Sequence, residues 1–199
     1  MKNIILIINL LFITLTSCNN DDNGFTPTLP PITQTGENTF GCYVDGKLLT
    51  PRDGTGTYTG ADKAMDFFGS TNNVYNEIRA RDFKSNDGKI LDIHINNLFQ
   101  NGSGNYTINE SNCERFNNAN QNINIRLRLW NSSLEVYNWY CSIENTGVLT
   151  ILRFDLPSRI VSGTFYCNVV NQNNPDDIIE ITEGRFDIKW DTLPNTTFP

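Results

Sequence analysis

The sequence is poor in the residues from which most enzyme and metal sites are built. It contains one histidine, His94, among 199 residues, and no two of its five cysteines form a C-x-x-C pair. A structural zinc site, which needs such pairs or several histidines, is therefore excluded on spacing. The G-x-S-x-G and H-E-x-x-H motifs of common hydrolases are also absent. These absences predict a protein without a metal or other cofactor.

Positive charge is scarce as well. The chain carries 15 Lys and Arg against 22 Asp and Glu, a formal net charge of -7. Binding to nucleic acid requires a basic face that neutralises phosphates. The charge balance therefore excludes nucleic acid as a partner.

The N-terminus reads "MKNIILIINLLFITLTSC", in which Lys2 precedes an apolar run. The run has the length of a signal-peptide core and is too short to span a bilayer. Its ending "LTSC" resembles the bacterial lipobox, in which the cysteine is acylated and the signal is cut off before it. The resemblance implies a signal peptide at residues 1–17 and a lipid on Cys18, which would anchor the mature protein to the bilayer.

The residues after Cys18 read "NNDD" and then "NGFTPTLPPITQTGENT". The acidic pair is similar to the export signal of Bacteroidota surface lipoproteins, which implies an outer-membrane protein facing the cell exterior; an ordinary solvated linker is the alternative. The Pro, Gly, Thr and Asn content predicts a flexible tether at residues 18–39. Residues 40–199 then form a single domain.

Four cysteines remain after Cys18, and an even number in an exported chain predicts two disulfides. Three connectivities are possible. We favour Cys113 with Cys141 and Cys42 with Cys167, because the first strand and a late strand of an antiparallel fold often become neighbours.

Hydrophobic residues alternate with polar ones along most of the domain, which predicts an all-β fold. An Asp45-Gly46 pair between "FGCYV" and "KLLT" predicts a tight hairpin. The other predicted strands are Val74–Phe83, Lys89–Leu98, Ile123–Trp130, the segment "LEVYNWYC", Gly147–Leu156, Ile160–Val170 and Ile178–Trp190. About ten such strands predict an antiparallel β-sandwich or flattened barrel, with one short helix at Ala61–Gly69.

The segments "NTFGCYVDGKLLTPR", "NTGVLTILRFD", "IVSGTFYCNVVN" and "ITEGRFDIKW" occur in this order. They resemble a family of Bacteroidota lipoproteins known as a domain of unknown function. The shared motifs are strand patterns with turn glycines. The resemblance therefore implies a fold and implies no activity.

An enzymatic site would have to use His94, which shares a strand face with Asp92. If Asp87 and Gly88 form a two-residue turn, Arg81 lies opposite His94. We interpret this group as a solvated sheet face, because no nucleophile motif accompanies it, and we expect no enzyme. The acidic turns "SNDG" and "NPDD" do not match a calcium-binding loop.

A binding surface is the stronger interpretation. Arg126, Arg128 and Trp130 alternate with an Ile and Leu face, and Tyr137 and Trp139 follow on one face of the next strand. Rigid aromatic faces with fixed donors suit sugar rings or a protein partner. The alternative is that the aromatic residues pack around the disulfide of Cys141.

The sequence thus predicts a surface lipoprotein that acts as a non-catalytic binding module for a carbohydrate or protein ligand. An inhibitor or structural partner of another envelope protein is the alternative. The triplet Asp191 to Leu193 also resembles a Bacteroidota O-glycosylation motif, which implies a glycan on Thr192.

Overall fold

The computed structural model describes residues 26–199 except Thr57, Thr59, Ala61 and Asn73. The predicted signal peptide and Cys18 lie outside these residues. The predicted all-β antiparallel fold is confirmed, because eleven strands form a sheet that curls into a half-barrel. No helix in the described part of the chain is long and apolar enough to cross a membrane.

The strands occupy β1 Thr39–Val44, β2 Lys47–Leu49, β3 Met65–Phe68, β4 Tyr75–Arg81, β5 Ile90–Asn96, β6 Gly104–Ile108, β7 Asn124–Asn131, β8 Val136–Ser142, β9 Gly147–Asp155, β10 Ile160–Asn171 and β11 Asn174–Lys189. Within the described residues, one α-helical turn, α1, spans Leu98–Asn101, and two 3-10 turns span Phe116–Asn118 and Leu193–Asn195.

The long strand β10 explains how one sheet can curl. The sheet runs in the order β2-β1-β11-β10-β8-β7-β5-β4-β3, and β9 with β6 lies off this path. The first half of β10 pairs with β9 and its last residues pair with β8. The inner, concave face is filled by alternating aliphatic side chains such as Ile93, Ile125 and Leu127, which are fully buried.

The hairpins agree with their turn residues. Val44 pairs with Lys47 across the predicted turn, and both Asp45 and Gly46 have positive φ, as a type I′ turn requires. The β4–β5 hairpin also forms, but His94 pairs with Glu77 and not with Arg81. The turn after Arg81 is longer than two residues, which shifts the register.

The predicted helix at Ala61–Gly69 is wrong for the described residues. Met65–Phe68 forms the edge strand β3, with Met65 opposite Ala80 of β4. Strand pairing and an ion pair between Asp66 and Arg81 outweigh the weak helical preference of so short a segment.

The disulfide between Cys113 and Cys141 is confirmed. The predicted bridge between Cys42 and Cys167 is wrong, because both thiols are free and buried. The two residues lie on β1 and β10, which flank β11 on opposite sides. Two strand spacings amount to about 9 to 10 Å, whereas a disulfide requires Cα atoms closer than about 7 Å.

The predicted tether is shorter than expected, because its second half is packed on the domain. Asp187 of β11, which is buried, accepts hydrogen bonds from the Thr33 hydroxyl and from the backbone amides of Thr35, Gly36 and Glu37. Leu29 and Pro30 lie directly against Gly41, where any Cβ would come within 3.0 Å of them. The folded unit therefore begins near Leu29 and not at residue 40.

Candidate functional site

The hairpin of β7 and β8 brings all five predicted ligand-binding residues onto one face of the sheet. Its register pairs Arg126 with Cys141, Arg128 with Trp139, and Trp130 with Tyr137. Because directly paired residues of an antiparallel hairpin share a face, the five side chains form one row.

Within this row, guanidinium groups alternate with aromatic rings. The Arg126 guanidinium carbon lies 4.3 Å from the Trp139 ring centre, and that of Arg128 lies 4.0 Å from the Tyr137 ring. The Trp130 and Tyr137 rings meet edge to face, with centroids 4.9 Å apart. We call these five residues the arginine–aromatic ladder. Cation–π contacts of this kind are attractive and favour this stacked arrangement of the arginines on Tyr137 and Trp139.

One end of the ladder is buried in a group of charged residues. Asp92 on β5 accepts hydrogen bonds from Nε of Arg79 at 2.5 Å and from Nε of Arg126 at 2.8 Å. Arg115, from the loop before β7, approaches Glu77 at 3.2 Å. We call these five residues, Glu77, Arg79, Asp92, Arg115 and Arg126, the buried charge cluster.

The charges of the cluster act on one another. Burial alone would raise the pKa of Asp92, but the hydrogen bond and charge of Arg79, with the charges of Arg126 and Arg115, lower it below its ordinary value. Burial lowers the pKa of Arg126, and the charge of Asp92 opposes that shift. Arg126 stays protonated, since a guanidinium does not lose its proton in proteins.

The predicted solvated face around His94 is wrong. His94 is 4% exposed, its Nδ1 lies 3.3 Å from Oε1 of Glu77, and its ring stacks on Tyr75. Glu77 also accepts the backbone amide of Phe116 at 2.7 Å. Both faces of β5 are therefore buried, the inner one by the core and the outer one by the loop that contains Phe116.

This covering loop is held from several directions. It runs from residue 109 to residue 123, where the amide of Asn109 donates to the carbonyl of Ile123. The disulfide of Cys113 ties its middle to β8, and Nη1 of Arg126 donates to the Cys113 carbonyl at 2.8 Å. The sequence did contain one signal for this cover, a cysteine within a polar stretch that has no strand periodicity.

The acidic groups of the cluster are occupied by structural contacts. Both Glu77 and Asp92 are paired with guanidinium groups beneath the covering loop. Buried carboxylates that are paired with guanidinium groups in this way are typical of a structural ion-pair network. Among the described residues, no group of three or more His, Cys, Asp or Glu side chains is arranged to hold a metal ion.

The other end of the ladder is open to solvent. The pairing of β5 with β7 ends at Arg128, and that of β10 with β8 ends at Tyr140. The end of the hairpin beyond these pairs carries Trp130, which is half-buried, and Tyr137, which is 47% exposed. Its turn adds Leu134, which is 67% exposed.

A cleft of about 280 Å³ adjoins this open end. Nine of its lining residues have polar or aromatic side chains: Asp45, Lys47, Asp87, Lys89, Trp130, Asn131, Ser132, Asn138 and Tyr140. Trp130 thus belongs both to the ladder and to the wall of the cleft. No pattern in the sequence indicates the cleft, because its walls come from distant segments of the chain.

Two predicted modification sites stand apart from the ladder. Thr192 is exposed, donates from its hydroxyl to the Lys189 carbonyl and accepts a hydrogen bond from Asn38. Its glycosylation stays a prediction. Cys18 lies outside the described residues.

Comparison of the chain with models of known families, with curated proteins and with solved structures finds no match. The geometry of the ladder and the cleft is therefore the basis for a functional proposal.

Proposed function

We propose that the protein is a membrane-anchored, surface-exposed lipoprotein that acts as a non-catalytic binding module. Its ligand contacts the open end of the arginine–aromatic ladder. The observation that carries this proposal is the pairing of a half-buried Trp130 with an exposed Tyr137 at the free end of a rigidly supported hairpin.

The support beneath these rings favours binding over chance exposure. The buried charge cluster fixes Arg126, Arg126 packs on Trp139, and Arg128 lies between Trp139 and Tyr137. A ligand that binds at the open end therefore contacts side chains that are already ordered, so little conformational entropy is lost on binding. Aromatic and arginine anchors of this type dominate binding energy at interfaces.

The anchor follows from the lipobox resemblance at Cys18 and from the position of the first packed residues. The eleven residues from Asn19 to Leu29 can span at most about 40 Å. A lipid on Cys18 would therefore keep the domain close to the bilayer surface, where a flat aromatic and cationic surface can meet envelope glycans or proteins.

The test is a glycan-array and pulldown screen with the full-length chain, followed by measurement of affinity for each ligand found. Trp130→Ala and Arg128→Ala should each weaken binding about tenfold or more while they leave the melting temperature nearly unchanged. Tyr166→Ala is the matched control, because Tyr166 is 53% exposed on β10, outside the ladder. Equal losses in all three variants, or no loss in a folded Trp130→Ala protein, would contradict the proposal.

One observation favours a protein ligand, as an inhibitor or structural partner would have. Leu134 in the hairpin turn and Val136 at the start of β8 are both exposed and lie near Tyr137 in the sequence. An apolar projecting loop of this kind fits into a groove of a partner protein. Leu134→Asp should then abolish capture of that protein and leave glycan binding intact.

A further inference from the structure

The cleft beside the hairpin contains an unusually placed ammonium group. Lys89 is only 6% exposed, and its Nζ lies 3.5 Å from the Leu48 carbonyl and 3.5 Å from Oδ2 of Asp87. Both distances are at the outer limit of a hydrogen bond. An ammonium group carries three donors, so Lys89 retains capacity to donate to a group in the cleft.

The charges that line the cleft balance. Lys47 and Lys89 face Asp45 and Asp87, so the lining carries two positive and two negative side chains. A carboxylate or phosphate ligand that is attracted by the Lys89 ammonium would be repelled by the neighbouring Asp87 carboxylate. A neutral ligand that both donates and accepts hydrogen bonds avoids this repulsion and can use both kinds of group.

Asn131 and Tyr140 further limit the chemical groups that a ligand in the cleft can present. Asn131 accepts the turn amides of Ser133 and Leu134 through Oδ1, which fixes its orientation. Tyr140 donates its hydroxyl proton to Asp177 and has none left to give to a ligand. The Asn131 amide and the Lys89 ammonium, which line the same cleft, suit hydroxyls, each of which is a donor and an acceptor.

The volume of the cleft and the aromatic ring of Trp130 in its wall also fit a sugar. A volume of 280 Å³ lies just below the range of about 300 to 1,000 Å³ that holds drug-sized ligands. One or two sugar rings are of this size. Trp130 lies in the wall and offers an apolar surface to the C–H face of such a ring.

We infer that the cleft is a subsite for a neutral sugar unit, with Lys89 and Asp87 binding its hydroxyls and Trp130 packing on its ring. This inference rests on the proposed binding function and makes it more specific. It assigns the ligand as an uncharged saccharide, although the two arginines of the ladder alone would favour an anionic one.

The experiment uses the full-length chain in a detergent that has no sugar head group. The probes are neutral oligosaccharides of glucose, galactose and N-acetylglucosamine, each paired with the same oligosaccharide in which one unit is a uronic acid. The neutral member should bind more tightly in each pair. Titration by NMR should shift the side-chain signals of Lys89 and Trp130 in the wild-type protein.

Lys89→Met removes the ammonium and keeps the length of the side chain, so it should weaken neutral-sugar binding about tenfold or more. Lys84→Met is the control, because Lys84 lies on the same loop but outside the cleft. A preference for the uronic acid partners would overturn the inference, as would undiminished binding by a folded Lys89→Met protein.

Failure of the inference can be distinguished from failure of the proposed function. If ligands bind through Trp130 and Arg128 but no neutral sugar binds or shifts Lys89, the cleft inference is wrong and the binding module stands. If neutral sugars bind in the cleft and depend on Lys89 while Arg128→Ala has no effect, the ladder is not the binding surface and the cleft alone is.

Discussion

Nε of Arg126 donates to Oδ2 of Asp92 at 2.8 Å, while the same guanidinium packs on the Trp139 ring. Arg126 therefore connects the buried charge cluster to the ladder. Because the cluster holds Arg126 in place and Arg126 packs on Trp139, we expect that loss of a charge in the cluster would increase the disorder of the aromatic rings of the ladder.

Replacement of Asp92 tests whether the buried charge cluster supports the fold and the ladder. Asp92→Asn keeps the shape of the side chain but leaves Arg79, Arg115 and Arg126 without their shared carboxylate. Removal of one partner from a buried ion pair costs about 3 to 5 kcal/mol, so we expect a fall in melting temperature of roughly 6 to 20 °C for a domain of this size. Asp176→Asn at an exposed position should change little. An equally stable Asp92→Asn protein would show that the cluster does not support the fold.

The same carboxylate makes stability depend on pH. The pKa of Asp92 is lowered in the folded state, so the unfolded chain, with an Asp pKa of about 3.9, binds the proton more readily. The contribution of Asp92 is complete above about pH 5 and is lost as the pH falls through its folded pKa. The difference in unfolding free energy between wild type and Asp92→Asn, measured in urea, should shrink below about pH 4. If this difference in unfolding free energy stayed constant down to pH 2, Asp92 would not be the source of the pH dependence.

Alternation in the sequence was sufficient to place the hairpin, because period two determines which residues share a face. Thus Arg128, Trp139 and Tyr137 were predicted to lie together and do. Alternation does not say which face is covered. The loop that covers His94 has no periodicity, so the sequence alone predicts a solvated face there. The cleft has no sequence pattern either, because Lys47, Lys89 and Asn138 come together as its lining only in the curled sheet.

The disulfide should matter most for the covering loop. Cys113 and Cys141 are 28 residues apart, and closing a loop of that length stabilises a fold by about 3 to 4 kcal/mol in the chain-entropy model. In the Cys113→Ser, Cys141→Ser double variant, amides of residues 109–123 should exchange hydrogen much faster, whereas those of β10 and β11 should change far less. Unchanged protection of the loop would mean that the contacts of Phe116 and Arg126 hold it without the bridge.

The two free thiols should be inert in the folded protein. Burial raises the pKa of Cys167 to about 12. Burial and the neighbouring Cys167 raise the pKa of Cys42 further, against the opposing charge of Lys89. Since the thiolate is the reactive form, iodoacetamide at pH 8 should modify neither residue until the protein is unfolded in urea. Peptide mapping by mass spectrometry gives the answer, and a Cys42 to Cys167 bridge in the unreduced map would contradict the structure.

The last prediction concerns the anchor. Cys18→Ala removes the proposed lipid-bearing thiol, so the protein should leave the membrane fraction or retain an uncut signal, as seen by fractionation and intact mass. Cys42→Ser is the matched control, because it changes a cysteine inside the domain and should leave the protein with the membrane. In intact cells, added protease should reach the wild-type chain if it faces the exterior. A Cys18→Ala protein that is processed and still membrane-bound would show that another part of the chain holds it there.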